Sequence, residues 1–134
     1  ASDVYKRQHM SEVRLLRRRA KAFLARALDS LNSGDYDLAS FLSEQAVQLH
    51  LESILLEKLG DYPRTHSISL LISILKKTSN YDALVKFLEE RRREVSLMED
   101  AYIASRYLVR EYTREEAEVL ISVAKEVLKY GELP

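Results

Sequence analysis

Apolar residues at Val13, Leu16, Ala20, Phe23, Leu24, Ala27, Leu28 and Leu31 recur at spacings of three and four, which places them on one side of a helix from Glu12 to about Asn32. Ser33-Gly34 can end that helix, because glycine takes the left-handed conformation of a C-terminal cap, and Asp35 can cap the next one. From Tyr36 to Leu59 the apolar positions spread around the cylinder. Ala39, Leu42, Ala46, Leu49, Ser53 and Leu56 form one stripe, and Phe41, Val47, Leu51, Ile54 and Leu55 lie elsewhere. A helix of that kind is expected to sit centrally or to meet a partner chain.

Gly60-Asp61-Tyr62-Pro63 interrupts the pattern, since proline disfavours helical geometry at the residue before it. A third helix is expected from about Thr65 to Lys77, with Ile68, Leu71, Ile72 and Leu75 inward. Asp82 is a candidate cap for a fourth segment reaching Tyr107, with a break expected around Arg91 to Glu94. Thr113 and Glu116 have the spacing of a capping box, and the helix they open turns Ala117, Leu120, Ile121, Ala124 and Leu128 inward before Gly131 closes it. No stretch alternates as a β-strand does. The expected architecture is an all-α, up-and-down antiparallel bundle of about five helices.

The chain has 134 residues, 46% of them apolar and 31% charged, with three glycines and two prolines. That composition suits one compact domain, expected over residues 10–134. Residues 1–9 lack apolar periodicity, and His9-Met10 resembles the scar of an expression vector before a start methionine, so they are read as a tag remnant. Lysine and arginine total 21, as do aspartate and glutamate, which argues against an obligate charge-driven binder of nucleic acid or anionic membrane. No cysteine is present, which excludes disulfides, thiolate metal sites and cysteine nucleophiles. No apolar run reaches the length of a membrane span, so a soluble, cytoplasmic protein without membrane partners is expected. Few Asn, Gln and Gly and many Glu, Lys and Arg fit a thermophile source.

Candidate chemistry is sparse. Three histidines, His9, His50 and His66, form no helical pair of metal ligands, so no metal is expected. No glycine-rich phosphate loop occurs, and no cofactor is implied. Asp35 and Asp37 straddle a helix start and read as capping residues. Arg14, Arg17, Arg18 and Lys21 build a basic ridge on the first helix that could meet RNA or an acidic protein. The end of the fourth segment gathers Asp100, Tyr102, Arg106 and Tyr107, with Arg110 and Tyr112 following. Arginine there can grip carboxylate or phosphate, or simply pair with a neighbour and cap the helix end, and the tyrosines can stack on a base or pack inward.

Gly34-Asp35-Tyr36 leading to Phe41, then Glu44-Gln45-Ala46-Val47, Pro63-Arg64-Thr65-His66-Ser67-Ile68-Ser69-Leu70-Leu71, Ala104-Ser105-Arg106-Tyr107 and Tyr112-Thr113-Arg114-Glu115-Glu116-Ala117 together resemble the HEPN domain, over about residues 11 to 131. The name stands for higher eukaryotes and prokaryotes nucleotide-binding. The resemblance implies a helical bundle, commonly a homodimer, often encoded beside a minimal nucleotidyltransferase and sometimes acting in toxin-antitoxin systems. Ribonuclease members share an arginine followed four to six residues later by histidine. That pair is missing here, because Arg64 lies only two residues before His66. Leu108 stands where a proline often follows the Arg-Tyr pair. The expected function is therefore a non-catalytic module binding a nucleotide, a nucleotidyltransferase partner or both through Arg106, Tyr107, Tyr102 and His66. The alternative is a ribonuclease toxin with a diverged site of Arg106, Tyr112 and His66, in which His66, opening the third helix, would serve as the base.

Overall fold

The computed structural model describes residues 2–78, 80–107 and 110–131, without the side chains of residues 2 and 105–107. Its elements are α1 (Ser2–Asn32), α2 (Tyr36–Leu59), α3 (Ile68–Lys77), α4 (Asp82–Glu89), α5 (Arg92–Tyr107) and α6 (Arg114–Val127), with no strand among the described residues. The all-helical bundle matches the expectation.

Helix α2 is the axis, with α1, α3, α5 and α6 packed around it. Leu51, Ile54 and Leu55 are fully buried on it, together with Ala46 and Val47. They meet Leu71 and Leu75 of α3, Leu84 and Leu88 of α4, Met98 of α5 and Leu120 of α6 in one core. Each such large residue contributes roughly 1.5–3 kcal/mol through its removal from water. The Asp35 carboxylate accepts from the Leu38 amide and caps the start of α2. At its end Gly60 adopts φ 80° and donates its amide to the Leu56 carbonyl, a conformation that a Cβ would strain.

Three boundaries differ from the sequence expectation, and the break expected around Arg91 to Glu94 is found at the start of that span. Helix α1 begins at Ser2, well before Glu12. Lys6, Arg7 and Gln8 favour helix and Asp3 complements the dipole of the first turn, although residues 3–8 stay exposed for want of an apolar stripe. Helix α3 begins at Ile68, capped by the Ser67 hydroxyl, so His66 lies in the preceding loop and does not open the helix. Tyr81, not Asp82, occupies the cap position of α4, and Asp82 falls in the first turn. The break after α4 falls at Glu90-Arg91. There the Arg91 guanidinium folds back 3.8 Å from the Phe87 ring centroid and donates to the Phe87 carbonyl. The described residues thus form six helices.

The basic ridge of α1 also needs correction. Arg17 is 8% exposed and turns inward, its Nη2 2.8 Å from Glu57 Oε1 and its Nε 3.3 Å from Ser53 Oγ. Gly131, at φ 72°, closes over this ion pair. A Cβ there would stand 3.3 Å from both Ile54 Cγ1 and the Tyr81 hydroxyl. Arg14, Arg18 and Lys21 remain exposed.

Candidate functional site

Glu44, Gln48 and Glu52 recur every four residues on α2 and share one face of that helix. All three are buried, Glu44 completely. The loop that follows α2 crosses this face because Gly60 ends the helix and Pro63 keeps the chain extended. Gln48 pins it there. Its Nε2 donates to the Thr65 carbonyl at 2.9 Å and to Glu52 Oε1 at 3.1 Å, and stands 3.3 Å from His66 Nδ1. On the far side of the loop, Glu99 of α5 accepts from the Ser67 and Ser69 hydroxyls.

His66 is exposed, and its ring stacks on Tyr102 of α5 with centroids 4.3 Å apart and planes 18° from parallel. Phe41 of α2 lies 6.4 Å beyond Tyr102. The result is an aromatic row with the Gln48 amide at its His66 end. Burial pushes the Glu44 carboxyl up to about 8, and the charges of Glu99 and Glu52 push the same way against a lowering bond from Gln45. Glu52 is raised by burial, with the Gln48 bond and the Arg64 charge opposing. Glu44 Oε2 and Gln48 Oε1 are buried without a hydrogen-bond partner. Reversing the Gln48 amide would turn its oxygen toward two further acceptors, so the orphaned oxygen follows from the surroundings.

A second cleft, about 240 Å³, opens beside Phe41 and is bounded by Asp37, Leu38, Ala101, Ala104, Arg110 and Tyr112. Here Tyr112 is a fixed post. Its amide donates to Asp37 Oδ1 at 2.7 Å, its hydroxyl donates to the Leu97 carbonyl at 2.8 Å, and Arg110 covers its ring at 4.5 Å. Burial pushes the phenol up to about 12. Arg110 in turn pairs with Glu116 at 2.7 Å, and Glu116 closes the expected capping box with Thr113.

Thus the structure brings His66 and Tyr102 together and sets Tyr112 in the neighbouring cleft. Arg106 and Tyr107 lie on the last turn of α5, but their side chains fall outside the described residues. Sequence reasoning misses Glu44, Gln48, Glu52 and Glu99. The available signal is the four-residue polar spacing on a helix otherwise apolar on several sides. Among the described residues, no group of three or more His, Cys, Asp or Glu side chains is placed to hold a metal ion. No helix among them is long and apolar enough to cross a membrane.

Two solved structures share this arrangement of helices. The crystal structure of TT1696 from Thermus thermophilus is 28% identical, with a TM-score of 0.71, over 88% of this chain and 94% of that one. The crystal structure of ST0689, described as an archaeal HEPN homologue, is 26% identical, with a TM-score of 0.65, over 89% and 93%. No curated protein matches the chain. The HEPN domain family matches residues 13–133, nearly the whole bundle, and the chain belongs to that family.

Proposed function

We propose that this chain is a non-catalytic HEPN module that acts as a homodimer in the cytoplasm and binds a nucleotide, a minimal nucleotidyltransferase partner, or both, in a toxin-antitoxin-like system. The observation that carries the reading is the exposed His66 ring stacked at 4.3 Å on Tyr102 beside the Gln48 amide. A planar base can extend that stack. Arg106 and Tyr107 follow Tyr102 on the same helix and are assigned to ligand binding with it. Leu38 of α2 and Ile103 of α5, 43% and 49% exposed, supply apolar surface for a second copy.

The Tyr112 hydroxyl is committed to a backbone carbonyl and held in its protonated form, which weighs against the ribonuclease reading through Arg106, Tyr112 and His66. The test pairs light scattering with nucleotide titration of the wild type, His66→Ala and Tyr102→Ala. A dimer whose nucleotide binding is lost in both variants supports the reading. A concentration-independent monomer removes the dimer, and RNA degraded by the wild type but not by His66→Ala replaces the module with the nuclease.

A further inference from the structure

Helices α1 and α6 pack against each other and leave an open groove of about 390 Å³ between them, on elements that carry no part of the His66–Tyr102 notch. Leu24, Ala25 and Leu28 of α1 and Leu128 of α6 line its apolar part. Leu24 and Leu28 are half-buried and Leu128 is buried, whereas Ala25 is exposed. Alanine at that position keeps the wall low, so the two α1 leucines are recessed yet still reached by solvent.

The rim is cationic. Lys21 of α1 and Lys125 and Lys129 of α6 stand around the leucines, all three exposed, and among the described residues no carboxylate lines the groove. Lys129 pairs with Glu126 at 3.2 Å, but both side chains are open to water and such a pair is worth little. Arg14, Arg18 and Lys21 follow one another at spacings of four and three, so they share one face of α1 and carry the positive strip beyond the groove. This strip is what remains of the α1 ridge once Arg17 turns inward. From Arg14 to Leu28 it is about 21 Å long at 1.5 Å per residue.

The floor and the rim together select the occupant. Nucleic acid would use the cations but not the leucines, and among the described residues no aromatic side chain lines the groove to take a base. A bilayer needs apolar side chains that project, and here the leucines are more buried than the lysines around them. A second copy laid symmetrically on the same surface would set lysine against lysine. A helix with an apolar stripe and carboxylates on either side of it matches both features.

We propose that the α1–α6 groove docks an acidic amphipathic helix of a partner protein. The apolar stripe of that helix seats on Leu24, Leu28 and Leu128, its carboxylates face Lys21, Lys125 and Lys129, and Arg14 and Arg18 meet its next turns. The docking face does not depend on the His66–Tyr102 notch.

The probe is a synthetic peptide of about fifteen residues with leucines at three- and four-residue spacing and glutamates beside them, compared with a scrambled peptide of the same composition. In amide chemical-shift mapping of the full chain, the patterned peptide is expected to shift Ala25, Leu28 and Lys125. The double substitution Lys125→Glu with Lys129→Glu changes only exposed side chains and is expected to weaken the patterned peptide at least about tenfold with an unchanged thermal midpoint. His66→Ala is expected to bind it as the wild type does, which separates a failure here from a failure of the notch. Absence of groove shifts at about 1 mM peptide, equal binding of the scrambled peptide, or full affinity in the charge-reversed chain overturns the proposal. Tighter binding to phosphatidylserine vesicles or to single-stranded RNA, lost on charge reversal, also overturns it and gives the face to that ligand. A dimer that the charge reversal dissociates overturns it in favour of a second copy.

Discussion

Helix α2 carries two buried polar clusters, and they are built on opposite terms. In the first, Arg17 of α1 meets Ser53 and Glu57, so one guanidinium faces one carboxylate, and Gly131 closes over the pair. One nitrogen, Arg17 Nη1, is left without a partner, but charge is balanced. In the second, the carboxyl of Glu44 on α2 feels the like charges of Glu99 on α5 and of Glu52, and the exposed Arg64 acts on Glu52. Two acceptor oxygens there are orphaned. The first cluster ties helices together. The second costs stability, and such a cost is expected where groups are kept for a ligand or partner. That contrast is why the proposed function is placed beside the second cluster.

The most severe way to test the contrast is Arg17→Ala, which removes the cation from the half-buried Glu57 carboxylate and a donor from the Ser53 hydroxyl. A loss of about 3 kcal/mol is expected in urea unfolding, as for other buried pairs deprived of one member. Next is Glu44→Gln. The folded-state acid is raised to about 8 from 4.5, so its contribution is complete below pH 4.5, declines as pH rises and levels off above about 8. The wild type is expected to lose stability across that window, with a slope approaching about 1.4 kcal/mol per pH unit, and the amide variant to lose this component. Urea midpoints at pH 5, 7 and 8.5 measure it, and parallel curves for the two proteins would show that Glu44 ionises freely.

Smaller effects separate structure from binding. Tyr112→Phe removes the donor to the Leu97 carbonyl and is expected to cost about 1 kcal/mol without affecting nucleotide binding. His66→Ala, at an exposed loop position, is expected to change stability by less than about 0.5 kcal/mol yet to abolish binding at the notch. A large thermal destabilisation of His66→Ala would move His66 into the structural class with Arg17.

Local signals make much of the bundle legible. Asp35, Gly60 with Pro63, and the Thr113–Glu116 box act within a few residues of themselves, so their chemistry can be read without the fold. The break at Glu90-Arg91 has no glycine or proline to announce it, and depends on how Arg91 folds back onto Phe87. Arg17 escapes a local reading for a related reason. Within a run of three arginines nothing nearby in the chain distinguishes the one that reaches Glu57 of α2. His66 and Tyr102 can be singled out by residue type, whereas Glu44, Gln48 and Glu52 cannot. Charged side chains are solvated by default, and only the central place of α2 buries these. The expectations for Arg106 and Tyr107 lie outside the described side chains.

Between Gly60 and Ile68 the chain makes no helical turn, and side chains hold it in place: Gln48 grips the Thr65 carbonyl, and Glu99 grips the Ser67 hydroxyl. The segment that presents the imidazole is therefore latched by a carboxylate belonging to another helix. Anything that drew that carboxylate away would slacken the latch.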